Sequence, residues 1–197
     1  MIFTKKIKKM NDLKLFMLLL GCRPKGRYTE QHDVLFAIGT SPKSLVPQIL
    51  NFWPEAKGII HLDAWREVTV VDSFKISIVE KTNDVATNHQ PTQLFFINLG
   101  GYKQHEFDEF HYKMIVAATN TANAIAQAKQ TAFFKHTGFK GAPSHIDDKY
   151  GIDVDDLFEI KEILAPALKE KYTINLAPSV ITKEDEIHLG YFKLANL

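Results

Sequence analysis

The apolar residues of this chain fall in short runs that are separated by polar, turn-forming segments. Residues 15–20 and 34–38 are continuous apolar runs, the pattern of buried strands. Residues 74–79 alternate apolar and polar positions, which is typical of a half-buried strand. Between them, Ser41 offers a helix N-cap and Pro42 a first helical position, where its missing N–H costs nothing. The first part of the chain is therefore predicted to form two strands, a helix and further strands.

The second part of the chain repeats this plan with different residues. Apolar runs at 95–100 and 114–118 predict strands, and the alanine-rich stretch at about 121–136 predicts a helix. Residues 172–176 match the alternating strand of the first part. Residues 187–191 resemble the first of these apolar runs, so we expect a C-terminal strand that completes the sheet left open by the second unit.

Several motifs occur twice, in the same order. They are Leu20-Gly21 with Glu30-Gln31-His32, which recurs as Leu99-Gly100 with Glu109-Phe110-His111, and His61-Leu62-Asp63, which recurs as His145-Ile146-Asp147. The same order with one short insertion is hard to obtain by chance. The sequence therefore predicts an α+β fold of two internally duplicated ββαββ-like units about a pseudo-two-fold axis, by the logic of an isologous dimer.

The domain boundaries follow from this duplication. Residues 13–80 are predicted to form the first repeat unit and residues 94–197 the second. Residues 81–93 are polar and contain a proline, so they are expected to be a linker. Residues 1–12 are predicted to be a disordered or non-native extension, with Met10 as the alternative start to Met1.

Composition narrows the class of partner and the compartment. The net charge of +1 gives no long-range field that would attract nucleic acid or an anionic membrane surface. A single cysteine, Cys22, excludes an intramolecular disulfide and fits a reducing compartment. We therefore expect a cytoplasmic protein with a small-molecule ligand, no nucleic-acid partner and no membrane partner. A homo-oligomer is left open.

The N-terminus imitates a secretion signal. Lysines precede the apolar run at 15–20, and residues 19–22 resemble a bacterial lipoprotein cleavage box. The run is shorter than the roughly 7–15 residues of a signal core. Its counterpart at 95–100 lies where no signal peptidase acts, so the strand interpretation is favoured over the lipoprotein one.

Histidine and carboxylate pairs are the candidate chemistry. Glu30 and His32 are two residues apart, as are His61 and Asp63, so in extended backbone each pair can project from one face. Duplication adds four more candidates, which are Glu109, His111, His145 and Asp147. An imidazole with a carboxylate suits either coordination of a divalent metal or an oriented general base.

Three interpretations of these pairs stay open. Two histidines and two carboxylates are enough for a Zn, Fe or Mn site. A site without metal would use His32 or His61 as the base, oriented by the carboxylates. In the third interpretation the pairs only brace turns. The function is thus either a small-molecule-binding or enzymatic site near the interface of the two repeats, or a non-catalytic structural or protein-interaction module.

Two groups of cations are weaker candidates for ligand binding. Arg23, Lys25 and Arg27 lie in a loop with Gly26 and could hold a phosphate or carboxylate, although a solvated turn is the favoured interpretation. Arg66 could clamp an anion next to the histidine–carboxylate pairs, and the second copy has a tyrosine in its place.

Long strings of the sequence resemble an uncharacterised bacterial family, domain of unknown function 1543. The strings are residues 16–27, Glu30-Gln31-His32-Asp33, residues 61–68, residues 95–102 and residues 144–151. The resemblance extends over most of the chain from about Lys14 onward. It implies a cytosolic bacterial protein and supplies no activity.

Overall fold

The computed structural model describes residues 12–81, 91–103, 107–136, 144–145, 153–181 and 183–197, without side chains at 101–103, 131–136, 144–145 and 153. The described part is mostly β-sheet with few helices, α+β in class, and its strands form three antiparallel sheets. The chain divides into two compact units. The first comprises Met1–Glu67 and Glu186–Leu197, and the second is Val68–Asp185.

Eleven strands and four α-helices can be assigned within the described residues. The strands are β1 (Lys14–Cys22), β2 (Gln31–Gly39), β3 (His61–Val68), β4 (Val70–Val71), β5 (Phe74–Glu80), β6 (Gln93–Lys103), β7 (Glu109–Ala118), β8 (Ser144–His145), β9 (Asp153–Glu159), β10 (Tyr172–Pro178) and β11 (His188–Lys193). The helices are α1 (Val46–Phe52), α2 (Thr121–His136), α3 (Ile160–Ile163) and α4 (Pro166–Lys171).

The sheet of the first unit has the strand order β11-β3-β1-β2. Strands β1 and β2 pair antiparallel over their whole length, with Gly21 opposite His32. Alternate residues of β1 enter the core of the unit, where Phe16, Leu18 and Leu20 pack with residues of β2, β3 and α1. Because neighbouring residues of a strand face opposite sides, Gly21 faces away from this core.

The predicted helix start at Ser41 is confirmed. The Ser41 side chain accepts a hydrogen bond from the backbone N–H of Ser44, and Pro42 takes the first helical position. A 3-10 turn, Pro42–Leu45, comes first, and α1 continues from it. The apolar run at 15–20 likewise lies in a strand, as the comparison with residues 95–100 predicted, and this strand ends at the buried Cys22.

The second unit contains two sheets. Strand β6 pairs with β7 on one side and with β8 and β9 on the other, and β10, β5 and β4 form a three-stranded sheet. Strand β6 packs Phe95, Ile97 and Leu99 into a core with Ala124 and Ala128 of α2. The predicted helix at about 121–136 is therefore confirmed, and its small residues bring it close to the strands.

Two expectations about connectivity differ from the structure. Strand β11 pairs with β3, so the C-terminal strand extends the sheet of the first unit and not that of the second. Strand β5, expected in the first repeat, pairs along its whole length with β10 and belongs to the second unit. The two compact units meet in sequence at Glu67 and Val68, and the repeat bounds of 13–80 and 94–197 stay a prediction. Most of that linker and residues 1–11 lie outside the described residues. Within the described part, no helix is long and apolar enough to cross a membrane.

Candidate functional site

Four of the predicted side chains converge on one point of the first unit. His32 lies on β2 opposite Gly21 of β1, and Glu30 precedes it by two residues. His61 and Asp63 lie on β3, the neighbour of β1 on its other side. The cluster therefore lies across three adjacent strands. We refer to Glu30, His32, His61 and Asp63 as site 1.

The contacts of site 1 form a closed ring in which imidazoles and carboxylates alternate. His32 Nε2 lies 3.8 Å from Glu30 Oε2 and 3.1 Å from Asp63 Oδ2. His61 Nε2 lies 3.3 Å from Glu30 Oε1 and 3.2 Å from Asp63 Oδ1. Each histidine thus turns the same nitrogen, Nε2, toward both carboxylates.

The cluster fits against β1 because position 21 is a glycine. A Cβ atom at Gly21 would lie 2.5 Å from both Asp63 Oδ2 and His61 Nε2. Real Cβ atoms essentially never come so close to a neighbour. The missing side chain therefore provides the space in which the four side chains meet.

Site 1 is closed on the side of His61 and open on the side of β2. The His61 side chain is 7% exposed, whereas those of Glu30 and His32 are 44% and 43% exposed. The ring of Tyr191, from β11, packs on the imidazole of His61 with 4.1 Å between ring centroids. His61 Nε2 and Asp63 Oδ2 are both buried and make no hydrogen bond within the protein. These two buried atoms therefore contact charged or polar atoms of the ring at 3.1–3.3 Å without hydrogen-bond geometry.

The second unit holds a smaller cluster of the same kind. His111 of β7 lies opposite Gly100 of β6, and its Nε2 is 3.3 Å from Asp155 Oδ2 and 3.9 Å from Glu109 Oε2. One ligand atom from each of these three residues lies within 4.8 Å of the others. We refer to Glu109, His111 and Asp155 as site 2.

Asp155 reaches site 2 through an irregularity in β9. Asp156 pairs with Asn98 and Val154 with Leu99, so Asp155 is an extra residue between two consecutive pairs. Such a bulge re-aims the side chain of the extra residue. Sequence reasoning missed Asp155, because the repeated motif made Asp147 the counterpart of Asp63. The Val154-Asp155-Asp156 string was a usable signal, since it puts a carboxylate on either face of a strand.

The other candidates of the second copy are not brought into site 2 by the described structure. The backbone of His145 pairs with Tyr102 in β8, and its side chain is not described. Asp147 lies outside the described residues. For the second copy, the sequence motif and the observed cluster thus share Glu109 and His111.

The predicted cations belong to the unit that holds site 1. Arg23, Lys25 and Arg27 are exposed in the loop between β1 and β2, where the Pro24 carbonyl accepts a hydrogen bond from the Arg27 N–H. Arg66 contacts Met17 Sδ at 3.7 Å. Met17 is four residues along β1 from Gly21, about 13 Å by the rise of a strand.

Cys22 follows Gly21 in the chain but lies on the core face of β1. Burial raises the pKa of its thiol, and the nearby Glu30 carboxylate adds to this effect. Since the thiolate is the form that binds metal or attacks as a nucleophile, Cys22 is held in its unreactive form.

The comparisons with known proteins agree with the family resemblance and the fold. Residues 27–78 match the family described as Domain of Unknown Function (DUF1543), and this segment contains all four residues of site 1. The solved structures include a protein Il1583 from Idiomarina loihiensis, which is similar over 92% of this chain and 97% of that chain, with 21% identity and a TM-score of 0.59. At that identity the likeness concerns the fold alone. No curated protein matches the chain.

Proposed function

We propose that the protein binds a divalent transition-metal ion at site 1 and uses it to hold a small-molecule ligand or to activate water. The observation that carries this proposal is the position of His61 Nε2. This atom is buried, has no hydrogen-bond partner within the protein, and lies 3.2–3.3 Å from oxygens of two carboxylates.

Counting protons argues against a simple hydrogen-bonded brace. An imidazole Nε2 carries at most one hydrogen, whether the ring is neutral or charged. The ring of site 1 contains four N···O contacts and has at most two Nε2 hydrogens. Each Nε2 hydrogen, where present, would therefore be shared between two carboxylate oxygens, which weakens both hydrogen bonds. A cation in the centre of the ring gives each residue a full partner instead, because every donor atom then points a lone pair at it.

The distances and the charge also suit a metal ion. Ligands 2.0–2.2 Å from a tetrahedral metal are about 3.3–3.6 Å apart. His61 Nε2 lies 3.3 Å from Glu30 Oε1 and 3.2 Å from Asp63 Oδ1, so this nitrogen and one oxygen of each carboxylate are spaced like neighbouring ligands of one ion. With neutral imidazoles, two carboxylates carry a formal charge of about −2, which a divalent ion balances. Two nitrogen and two oxygen donors without a thiolate suit Zn, Fe or Mn.

The exposure of Glu30 and His32 supports a working site. Solvent reaches the β2 side of the cluster, so water or an oxygen of a small molecule can approach the ion there. A metal at such an opening acts as a Lewis acid or lowers the pKa of bound water. On the closed side, the ring of Tyr191 packs on the imidazole of His61 and holds this metal ligand in one orientation.

The duplication and the cytoplasmic location belong to the same proposal. Both hairpins, β1–β2 and β6–β7, place a glycine opposite a histidine that follows a glutamate by two residues. This shared register supports descent from one duplicated unit. The buried, free Cys22 supports a reducing compartment.

Metal titration of the chelator-stripped full chain tests the proposal. Asp63→Asn keeps an oxygen that can accept a hydrogen bond but removes the charge, and Asp33→Asn makes the same change on β2. We expect the wild-type chain to bind Zn²⁺ tightly. Asp63→Asn is expected to weaken the binding at least about 10-fold, whereas Asp33→Asn has no effect.

The competing function is a non-catalytic structural or interaction module in which the ring braces turns. It predicts that the wild-type chain binds no metal tightly. It also predicts that added Zn²⁺ leaves the melting temperature of every variant unchanged. A metal site would instead stabilise the folded chain by about 2.7 kcal/mol at a free Zn²⁺ concentration 100 times the Kd.

A further inference from the structure

The geometry points to a second metal site in the other unit, formed by Glu109, His111 and Asp155, which takes a harder divalent ion such as Mn²⁺. This inference goes beyond the proposed function, because it rests on residues of another unit and holds or fails separately from site 1.

The donor atoms of site 2 meet in the manner of ligands. His111 Nε2 lies 3.3 Å from Asp155 Oδ2 and 3.9 Å from Glu109 Oε2, and it carries at most one hydrogen for the two carboxylates. All three donor atoms lie within 4.8 Å of each other.

The backbone beneath site 2 leaves room for the cluster. A Cβ atom at Gly100 would overlap the carboxylate of Asp155 and lie 2.7 Å from its Cγ. Gly21 leaves the same space beneath Asp63 in site 1. In both units, a glycine that pairs with a histidine on the next strand leaves space for an aspartate side chain. Asp155 reaches this space through a bulge in β9, which the repeated sequence motif does not predict.

The donor set sets the preference for the ion. Site 2 offers one imidazole and two carboxylates, compared with two of each in site 1, so oxygen donors predominate. All three of its residues are exposed, so water completes the coordination. Oxygen-rich, hydrated sites suit Mn²⁺ or Mg²⁺ better than softer ions, and binding is weaker than at a site with more imidazole.

Counting bound Mn²⁺ by electron paramagnetic resonance tests the inference on the full chain, since the free ion gives a signal that bound ion loses. The variants are Asp155→Asn, its neighbour Asp156→Asn as the matched control, and Asp63→Asn. We expect two Mn²⁺ per wild-type chain, one in Asp155→Asn, two in Asp156→Asn and one in Asp63→Asn.

The two proposals give different results when they fail. If Asp155→Asn binds as many ions as the wild type with unchanged affinity, the second site does not exist. If Asp63→Asn leaves the count unchanged while Asp155→Asn removes the one ion bound, site 2 stands and site 1 fails. Circular dichroism of every variant checks that the count refers to folded protein.

Discussion

Replacing Gly21 with alanine separates a metal site from a structural brace. The added Cβ would lie 2.5 Å from Asp63 Oδ2 and His61 Nε2, about 1 Å inside ordinary contact. His61 is buried beneath Tyr191 and cannot swing away freely, so the cluster has to open by roughly that distance. Metal–ligand bonds tolerate shifts of only about 0.2 Å.

The expected effects on affinity and on stability differ in size. The substitution displaces two of the four donors, His61 and Asp63, so the Zn²⁺ affinity should fall by about 100-fold. This is the upper end of the loss seen when a residue that positions a metal ligand is changed. Overpacking costs about 1–3 kcal/mol of folding free energy, offset by about 0.4–1 kcal/mol because alanine restricts the unfolded chain. Without metal, Gly21→Ala should therefore lose about 1–2 kcal/mol of stability.

Gly39→Ala is the matched control for this experiment. Its Cβ would also lie 2.5 Å from side-chain atoms, Leu45 Cδ2 and Ser44 Oγ, but at the other end of the β1–β2 pair. Urea unfolding in the presence of chelator measures the stability of both variants, and calorimetric titration with Zn²⁺ measures the affinity. We expect a similar loss of stability and a loss of affinity in Gly21→Ala alone. Wild-type affinity in Gly21→Ala, or an equal loss in both variants, would refute the reasoning.

Three further predictions concern the packing around the sites. Ala124 is fully buried and Ala122 is exposed on the same helix. Ala124→Leu should therefore lower the free energy of unfolding by about 1–3 kcal/mol, and Ala122→Leu should hardly change it. Equal unfolding midpoints of the two variants in urea would contradict the described packing. Asp72 has a φ of 45° and accepts a 2.8 Å hydrogen bond from the Ala117 N–H. Asp72→Ala should therefore lower the free energy of unfolding by about 1–3 kcal/mol, and Asp72→Asn clearly less, because asparagine tolerates this backbone conformation and keeps an acceptor oxygen. A lower melting temperature for Asp72→Asn than for Asp72→Ala would contradict this role of Asp72. Burial raises the pKa of Cys22, so a thiol reagent at pH 8 should react at least roughly 10-fold slower with the folded chain than with the urea-unfolded chain. Because the thiol ionises at a lower pH in the unfolded chain, the stability that Cys22 contributes is present below pH about 8.5 and is lost as the pH rises through the folded pKa. A Cys22→Ala chain whose stability falls with alkaline pH in the same way as that of the wild type would contradict this contribution.

The local parts of the fold followed from the sequence, because short-range patterns determine them. The apolar run of β1 and the Ser41-Pro42 helix start depend on neighbouring residues. The partners of β5 and β11 did not follow, because β5 pairs with β10 and β11 with β3 across long stretches of chain. No local pattern encodes such pairing.

The same distinction explains what was foreseen of the sites. The spacing of two residues placed His61 and Asp63 on one face of a strand, where the structure has them. Asp155 was missed because the repeated motif made Asp147, eight residues earlier, the counterpart of Asp63. The structure instead brings Asp155 into the cluster through a bulge in β9, which the motif does not encode. Tyr191 was missed because it reaches His61 through the C-terminal strand.

Anomalous diffraction from crystals of the full chain grown with excess Zn²⁺ shows directly whether site 1 binds a metal ion. We expect a strong peak about 2.0–2.1 Å from the Nε2 atoms of both His32 and His61, with oxygens of Glu30 and Asp63 at about 2.0–2.2 Å. Crystals grown with excess Zn²⁺ that show no peak between these four side chains, and in which the histidines hydrogen-bond directly to the carboxylates, would contradict the metal site.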